Sequence, residues 1–196
     1  MPLHVQSLSG EAIQPYIADL ARLRIEIFRD YPYLYDGDET YENNYLQNYA
    51  ASPDSFIVIA FDDDKVVGAA TAMPLYRAAE EVQRPFLAQN IHLEQIFYLG
   101  ESVLQQQYRG QGIGVKFFEE QEAYARSKNA NYAVFCTVER PLIHPRRPID
   151  YVPLDKFWYQ RGYQKRAELH TAFAWKEIDE AKPSEKPMIF WMKRFR

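Results

Sequence analysis

The chain has 196 residues, 47% hydrophobic and 26% charged, with 23 basic and 27 acidic side chains for a net charge of −4. That length buries a real core in one unit, so a single domain over 1–196 is expected; no apolar run reaches the roughly 20 residues that span a bilayer, and no global basic field draws the chain to nucleic acid. A lone cysteine, Cys136, makes no internal disulfide, and the first residues lack the pattern of a signal peptide, so a cytoplasmic protein is expected.

Residues 4–8 read as a short strand, and Ile13, Tyr16, Ile17, Leu20, Leu23 and Ile27 then recur at helical spacing, predicting a helix that ends before Pro32. The next stretch is rich in tyrosine (Tyr31, Tyr33, Tyr35, Tyr41, Tyr45, Tyr49) and acidic (Asp36, Asp38, Glu39, Glu42), with a second helix expected over 39–49. Aromatic faces beside carboxylates suit a cationic amine, although the same rings could pack the segment onto a sheet. Residues 56–61 and 66–72 flank the polar 62–65 and predict a hairpin stopped by Pro74, after which 76–90 is an irregular or helical connection.

A strand over 96–104 leads into Gln107-Tyr108-Arg109-Gly110-Gln111-Gly112-Ile113-Gly114, and a helix opens at Ile113 with Phe117, Gln121 and Tyr124 on the same face. A strand follows over 131–138. The loop 139–153 holds four prolines together with His144, Arg146, Arg147 and Asp150. A short helix over 154–161 ends at Gly162, and strands near 169–175 and 188–193 form a last hairpin. Its apolar run Met188-Ile189-Phe190-Trp191 could pair across a homodimer or fill the core.

A strand, three glycines with an arginine, and a helix start make an anion site, because backbone without side chains bends tightly and presents N–H groups at the positive end of a helix dipole. Spacing separates the kinds. A dinucleotide turn wants a third glycine where Val115 stands, and no P-loop string occurs. What remains, Arg109-x-x-Gly112-x-Gly114 after a strand, resembles the central motif of the GCN5-related N-acetyltransferases, and Phe157-Trp158-Tyr159-Gln160-Arg161-Gly162-Tyr163 resembles their late Phe-Tyr-x-x-x-Gly-Phe element.

The resemblance implies an α/β fold: a mixed, mostly antiparallel sheet of six to seven strands flanked by helices, with two splayed parallel strands holding acetyl-coenzyme A. It implies that Arg109, Gly110, Gln111, Gly112, Ile113, Gly114 and Val115 cradle or shape the diphosphate site. Val103 and Leu104 would offer backbone groups to the pantetheine, with Trp158 beside the coenzyme. It also implies an acceptor site capped by the segment after the first helix, with Tyr33, Tyr35 and Asp36 as contacts.

Acetyl transfer needs a neutral amine, an oxyanion donor and a proton for the leaving thiolate. Glu101, on the strand into the turn, matches a position where family members often carry the base, and Glu139 is a second candidate. The usual tyrosine acid is replaced by Trp158, whose indole cannot protonate a thiolate. Tyr159 is one position off, and Tyr151 or a tyrosine of the 31–49 cluster could substitute. Histidines at 4, 92, 144 and 170 with one cysteine give no metal-ligand spacing. The expected function is therefore acetyl transfer from acetyl-CoA to a primary amine of a small molecule or peptide; the alternative is a non-catalytic acyl-CoA sensor of the same fold.

Overall fold

A computed structural model describes residues 3–195. Among these, strands β1 (His4–Ser9), β2 (Phe56–Asp62), β3 (Lys65–Pro74), β4 (Ile96–Leu104), β5 (Tyr132–Val138), β6 (Gln164–Trp175) and β7 (Ser184–Arg194) form one sheet in the order β1-β2-β3-β4-β5-β7-β6. Every neighbouring pair is antiparallel except β4 with β5. The helices are α1 (Ile17–Phe28), α2 (Glu39–Ala51), α3 (Glu80–Ala88), α4 (Ile113–Ser127) and α5 (Asp155–Gln160). None of them is long and apolar enough to cross a membrane.

Strands β2 and β3 are apolar on both faces because the sheet is covered on both. Ile57, Ile59, Ala69, Tyr98, Val134 and Phe190 pack with Leu20 and Leu23 of α1, Leu46 of α2 and Phe86 of α3. On the other face Val58, Ala60, Val67, Phe97, Leu99 and Phe135 pack with Ile113, Phe117 and Phe118 of α4. This is the three-layer α/β arrangement that a two-sided apolar sheet requires.

The last hairpin differs from expectation in two ways. Its strands are longer than 169–175 and 188–193, because the polar run Gln164 to Glu168 lies on an edge strand where solvent-facing residues hide the alternation. And β7 is paired on both sides, with β5 and β6, so Met188 to Trp191 offer no free edge to a second copy. Phe190 and Trp191 are fully buried instead.

Strand β4 carries the feature that positions the site. Ala70 pairs with Ser102 and Ala72 with Leu99, so Gly100 and Glu101 together oppose the single Thr71, a bulge. The extra residue resets the alternation: Tyr98 faces α1 and α2 before the bulge, and Val103 does so after it. Gly100 is demanded by close approach, since a Cβ there would collide with Tyr49 Oη and stand 2.7 Å from Thr71 Oγ1. Beyond the bulge, β4 leaves β5. The two pair only through Ile96, Phe97 and Tyr98 against Tyr132, Ala133 and Val134.

Candidate active site

At the end of β4 the chain turns through Gly110 and Gly112, with φ of +77° and +83°, backbone that residues with side chains adopt only under strain. A Cβ on either glycine would meet nothing within 4 Å, so the space before the turn is open. The first backbone bond of α4 runs from Lys116 N–H to Gly112 O at 3.1 Å, which leaves the N–H groups of Ile113, Gly114 and Val115 without intrahelical acceptors. They sit at the positive end of α4 and suit a diphosphate. The turn is braced from behind: Arg109 Nε donates to Leu104 O at 3.0 Å, Gln111 Nε2 to Gln107 O at 3.1 Å, and the Tyr108 hydroxyl to Asp62 at 2.6 Å. A Cβ at Gly114 would rest 3.7 Å from Phe157 Cζ, an ordinary contact, so α4 and α5 meet here without requiring glycine.

The divergence of β4 and β5 opens a wedge lined by unpaired backbone. On β4, the bond from Gln105 N–H to Val67 O fixes which residues turn toward β3; by alternation Val103 turns its N–H and C=O to Ala69, while Ser102 and Leu104 turn theirs to the wedge. On β5, Glu139 N–H donates to Pro187 O of β7, so Cys136 and Val138 present their groups to the wedge. Two half-ladders facing each other without strand partners, touched only by Arg109 at Leu104 O and by the Tyr33 hydroxyl at Val138, fit an extended chain bearing amides. Val103, expected to offer backbone groups there, is thus committed to β3, and Ser102 takes its place. Leu104 retains its N–H, its carbonyl being held by Arg109.

Beside the wedge, on the face covered by α1 and α2, lies a buried charge cluster. Glu101, only 9% exposed, accepts from Arg24 Nη1 at 2.8 Å and from the Tyr45 hydroxyl at 3.2 Å, both through Oε2. Its other oxygen, Oε1, is buried without a hydrogen-bond partner. Arg24 Nε bonds in turn to Glu42, which is fully buried and also accepts from the Tyr35 hydroxyl at 2.8 Å. The Arg24 guanidinium lies over the Tyr45 ring, 4.5 Å from its centre. Burial raises the Glu101 carboxyl above the ordinary glutamate range; Arg24 pulls it down and Glu42 pushes it up.

A sequence-family model described as the acetyltransferase (GNAT) family matches residues 20–145, more than half of the chain, and spans the turn, the wedge and Arg24, Glu42 and Glu101. The chain belongs to the GNAT acetyltransferase family. Its fold recurs in a ribosomal-protein-alanine N-acetyltransferase from Brucella melitensis (TM-score 0.62, 14% identity, covering 98% of this chain and 99% of that one). It recurs as well in Arabidopsis thaliana NAA60 bound to a bisubstrate analogue (0.61, 11% identity, 98% and 100%). A third is yncA of Salmonella typhimurium, solved with acetyl-CoA (0.64, 10% identity, 100% and 95%). No curated protein matches the chain in sequence.

Acetyl-CoA is the GNAT cosubstrate, and the residues present fit it: orphan N–H groups over open space at the turn, and unpaired backbone along the wedge. The other expected positions lie further out. Trp158 packs on Phe135 and Trp191, with ring centres 5.2 and 5.0 Å away, on the face covered by α4. Tyr159 stands edge-on to Trp191 and is 54% exposed. The Glu139 carboxylate lies 3.3 Å from His170 Nδ1 of β6, near the sheet edge. His144 rests beside Tyr31 in the 139–153 loop, where Arg147 stacks on Tyr151.

The α1–α2 connection is zipped to the β6–β7 connection. Tyr35 bridges Glu177, Asp36 N–H donates to Lys176 O, and Ile178 N–H donates to Leu34 O. Arg140, nine-tenths buried, donates to Pro32 O at 2.7 Å and to Glu177 at 2.6 Å. Asp36, expected to meet a cationic acceptor, is already neutralised by Lys176 at 2.6 Å and Arg29 at 3.3 Å. Tyr35 is spent on Glu42. Tyr33 packs against Phe28 and Trp175, and its hydroxyl faces the Val138 backbone, Cys136 and Tyr151, hence the wedge.

Sequence reasoning missed Arg24 and Glu42, although a signal existed. Arg24 falls on the Leu20, Leu23, Ile27 stripe of α1, and Glu42 on the Leu46, Tyr49 stripe of α2. Opposite charges on two buried helical faces announce a buried pair.

Proposed function

We propose that this chain transfers an acetyl group from acetyl-CoA to a primary amine, of a small molecule or a peptide, by direct attack, with Glu101 as general base. The observation that carries the reading is the buried, unpartnered Glu101 Oε1 at the bulge where the wedge opens. Apart from the Thr71 hydroxyl beside the carboxylate, this oxygen meets no side-chain donor; it lies beneath the surface, so an ammonium must reach it through the wedge to bond it and then give up a proton. Acetyl-CoA supplies the thioester. The N–H groups of Ile113, Gly114 and Val115 hold its diphosphate, and the backbone of Ser102, Leu104, Cys136 and Val138 flanks its arm.

The leaving thiolate needs a proton donor that Trp158 cannot supply. Among the tyrosines around the wedge, Tyr35 is committed to Glu42, Tyr45 to Glu101, Tyr49 to Tyr45, and Tyr98 to Cys136. Tyr33 and Tyr151 remain; the Tyr33 hydroxyl faces Val138 and so the wedge, whereas Tyr151 stands edge-on to Tyr31 in the 139–153 loop, and burial raises the Tyr33 phenol further above its ordinary range. We assign the donor role to it.

The test is release of coenzyme A from acetyl-CoA with a panel of primary amines, small molecules and peptide N-termini alike. Turnover that falls at least about a hundredfold in Glu101→Gln, with coenzyme affinity kept, supports the reading. One observation favours a second reading, an acyl-CoA sensor: the position of the family's tyrosine acid is a tryptophan packed on Phe135 and Trp191. Micromolar coenzyme binding by calorimetry without turnover on any amine would establish the sensor; absence of binding would sink both.

A further inference from the structure

The Glu101 cluster is built from three elements in addition to β4, and its stoichiometry is unusual. One guanidinium, Arg24 of α1, is shared between two carboxylates, Glu101 and Glu42 of α2, so the cluster carries a net negative charge in a place closed to water. Buried charge in excess of its partners is costly, and it is relieved by a proton, toward which burial pushes Glu101, or by a cation that arrives from outside. The bonding is also asymmetric. Glu42 holds Arg24 by Nε, Arg24 Nη1 and the Tyr45 hydroxyl both take Oε2 of Glu101, and Oε1 meets no charged group, the Thr71 hydroxyl being the other polar side chain beside the carboxylate.

Resting on the reading of Glu101 as base, we infer that Arg24 and Glu42 are positioning residues that act as a pair: Glu42 fixes Arg24, and Arg24 pins one oxygen of Glu101 so that the other alone meets the acceptor's amine. The two have opposite effects on the proton affinity of that oxygen. Arg24 favours the carboxylate, whereas Glu42 repels it and draws away part of the guanidinium's charge. The remaining polar groups around Glu101 are neutral: the hydroxyls of Tyr45 and Tyr49 on α2, Thr71 on β3 and Tyr98 on β4. The site therefore selects a cationic ammonium. Such a group restores neutrality on binding, and has protons enough both to bond Oε1 and to give one up, whereas an anionic acceptor meets an uncompensated carboxylate.

Charge coupling alone moves the Glu101 midpoint in opposite directions when Glu42 or Arg24 is neutralised; a positioning pair predicts in addition that kcat falls at a pH where Glu101 is fully ionised, whereas a merely structural pair leaves that plateau unchanged. The experiment is 13C NMR titration of glutamate side chains in the whole protein, with Glu101 and Glu42 assigned from Glu101→Gln and Glu42→Gln. Glu42→Gln keeps one acceptor oxygen for Arg24, turns its amide N–H to the Tyr35 hydroxyl, which then accepts, and removes the charge; the Glu101 midpoint is expected to fall by about one pH unit, while Arg24→Gln raises it by a similar amount. Should Arg24→Gln fail to fold, Glu42→Gln decides alone: a Glu101 midpoint unmoved or raised overturns the inference. With an amine that supports turnover, the acid limb of kcat/KM moves with the NMR midpoint in each variant. A limb that survives in Glu101→Gln instead removes the base reading itself, so the two failures are distinguishable.

Discussion

At the scale of single residues, an unpartnered oxygen is the most informative atom in the molecule. A base works only when deprotonated, so a Glu101 carboxyl raised above 4.5 makes activity fall with decreasing pH through a midpoint higher than an ordinary glutamate would give. A rate profile against pH checks this, and a flat acid side would exclude Glu101. Tyr33→Phe removes one oxygen and is expected to slow turnover about tenfold or more while coenzyme affinity stays constant, as measured by kcat against calorimetric Kd. Cys136 offers a contrast. Its thiol is buried in contact with the Tyr98 hydroxyl at 3.6 Å and pushed up to about 12, so it is expected to resist alkylation at pH 8 in the native protein and to react on unfolding. Its burial follows from its place in the apolar strand β5. Arg24 shows the limit: its place on the buried stripe is visible in the sequence, whereas its two partners come from α2 and β4, and only the packed fold joins them.

At the scale of elements, the strands, the glycine turn and the α4 start were legible because each depends on local chemistry: alternation, positive φ at Gly110 and Gly112, and helical spacing from Ile113. The bulge was not, since Gly100 and Glu101 look like any two strand residues until Thr71 opposes them both. Gly112→Val places a side chain in the open space before the turn and is expected to weaken coenzyme binding at least about tenfold, read by calorimetry with circular dichroism to confirm folding. Gly100→Ala pushes on Tyr49 and Thr71 and is expected to destabilise by about 1–3 kcal/mol in urea melts. The zipped connections were equally hidden, because Tyr35 and Glu177 are far apart in the chain. Arg140→Ala removes the donor to Glu177 and to Pro32 O, and leaves Tyr33 O with the Trp175 indole alone, at a cost of about 2 kcal/mol, with faster amide exchange over 33–36.

At the scale of the whole molecule, the two-sided core follows from composition and pattern, and the order of strands from the way β7 inserts between β5 and β6. That insertion seals Phe190 and Trp191 inside the sheet. Family membership came through the turn, the one motif whose chemistry is the same wherever it occurs; the acceptor side, assembled from α1, α2, β4 and loops, has no such fixed spelling. The wedge between β4 and β5 has a last consequence. A sheet whose two halves part company lacks a rib, and a ligand that fills the space completes the framework of the fold as well as feeding the reaction. Coenzyme present at a hundredfold excess over its Kd adds about 2.7 kcal/mol to the unfolding free energy. The stability of the fold is thereby tied to the concentration of coenzyme.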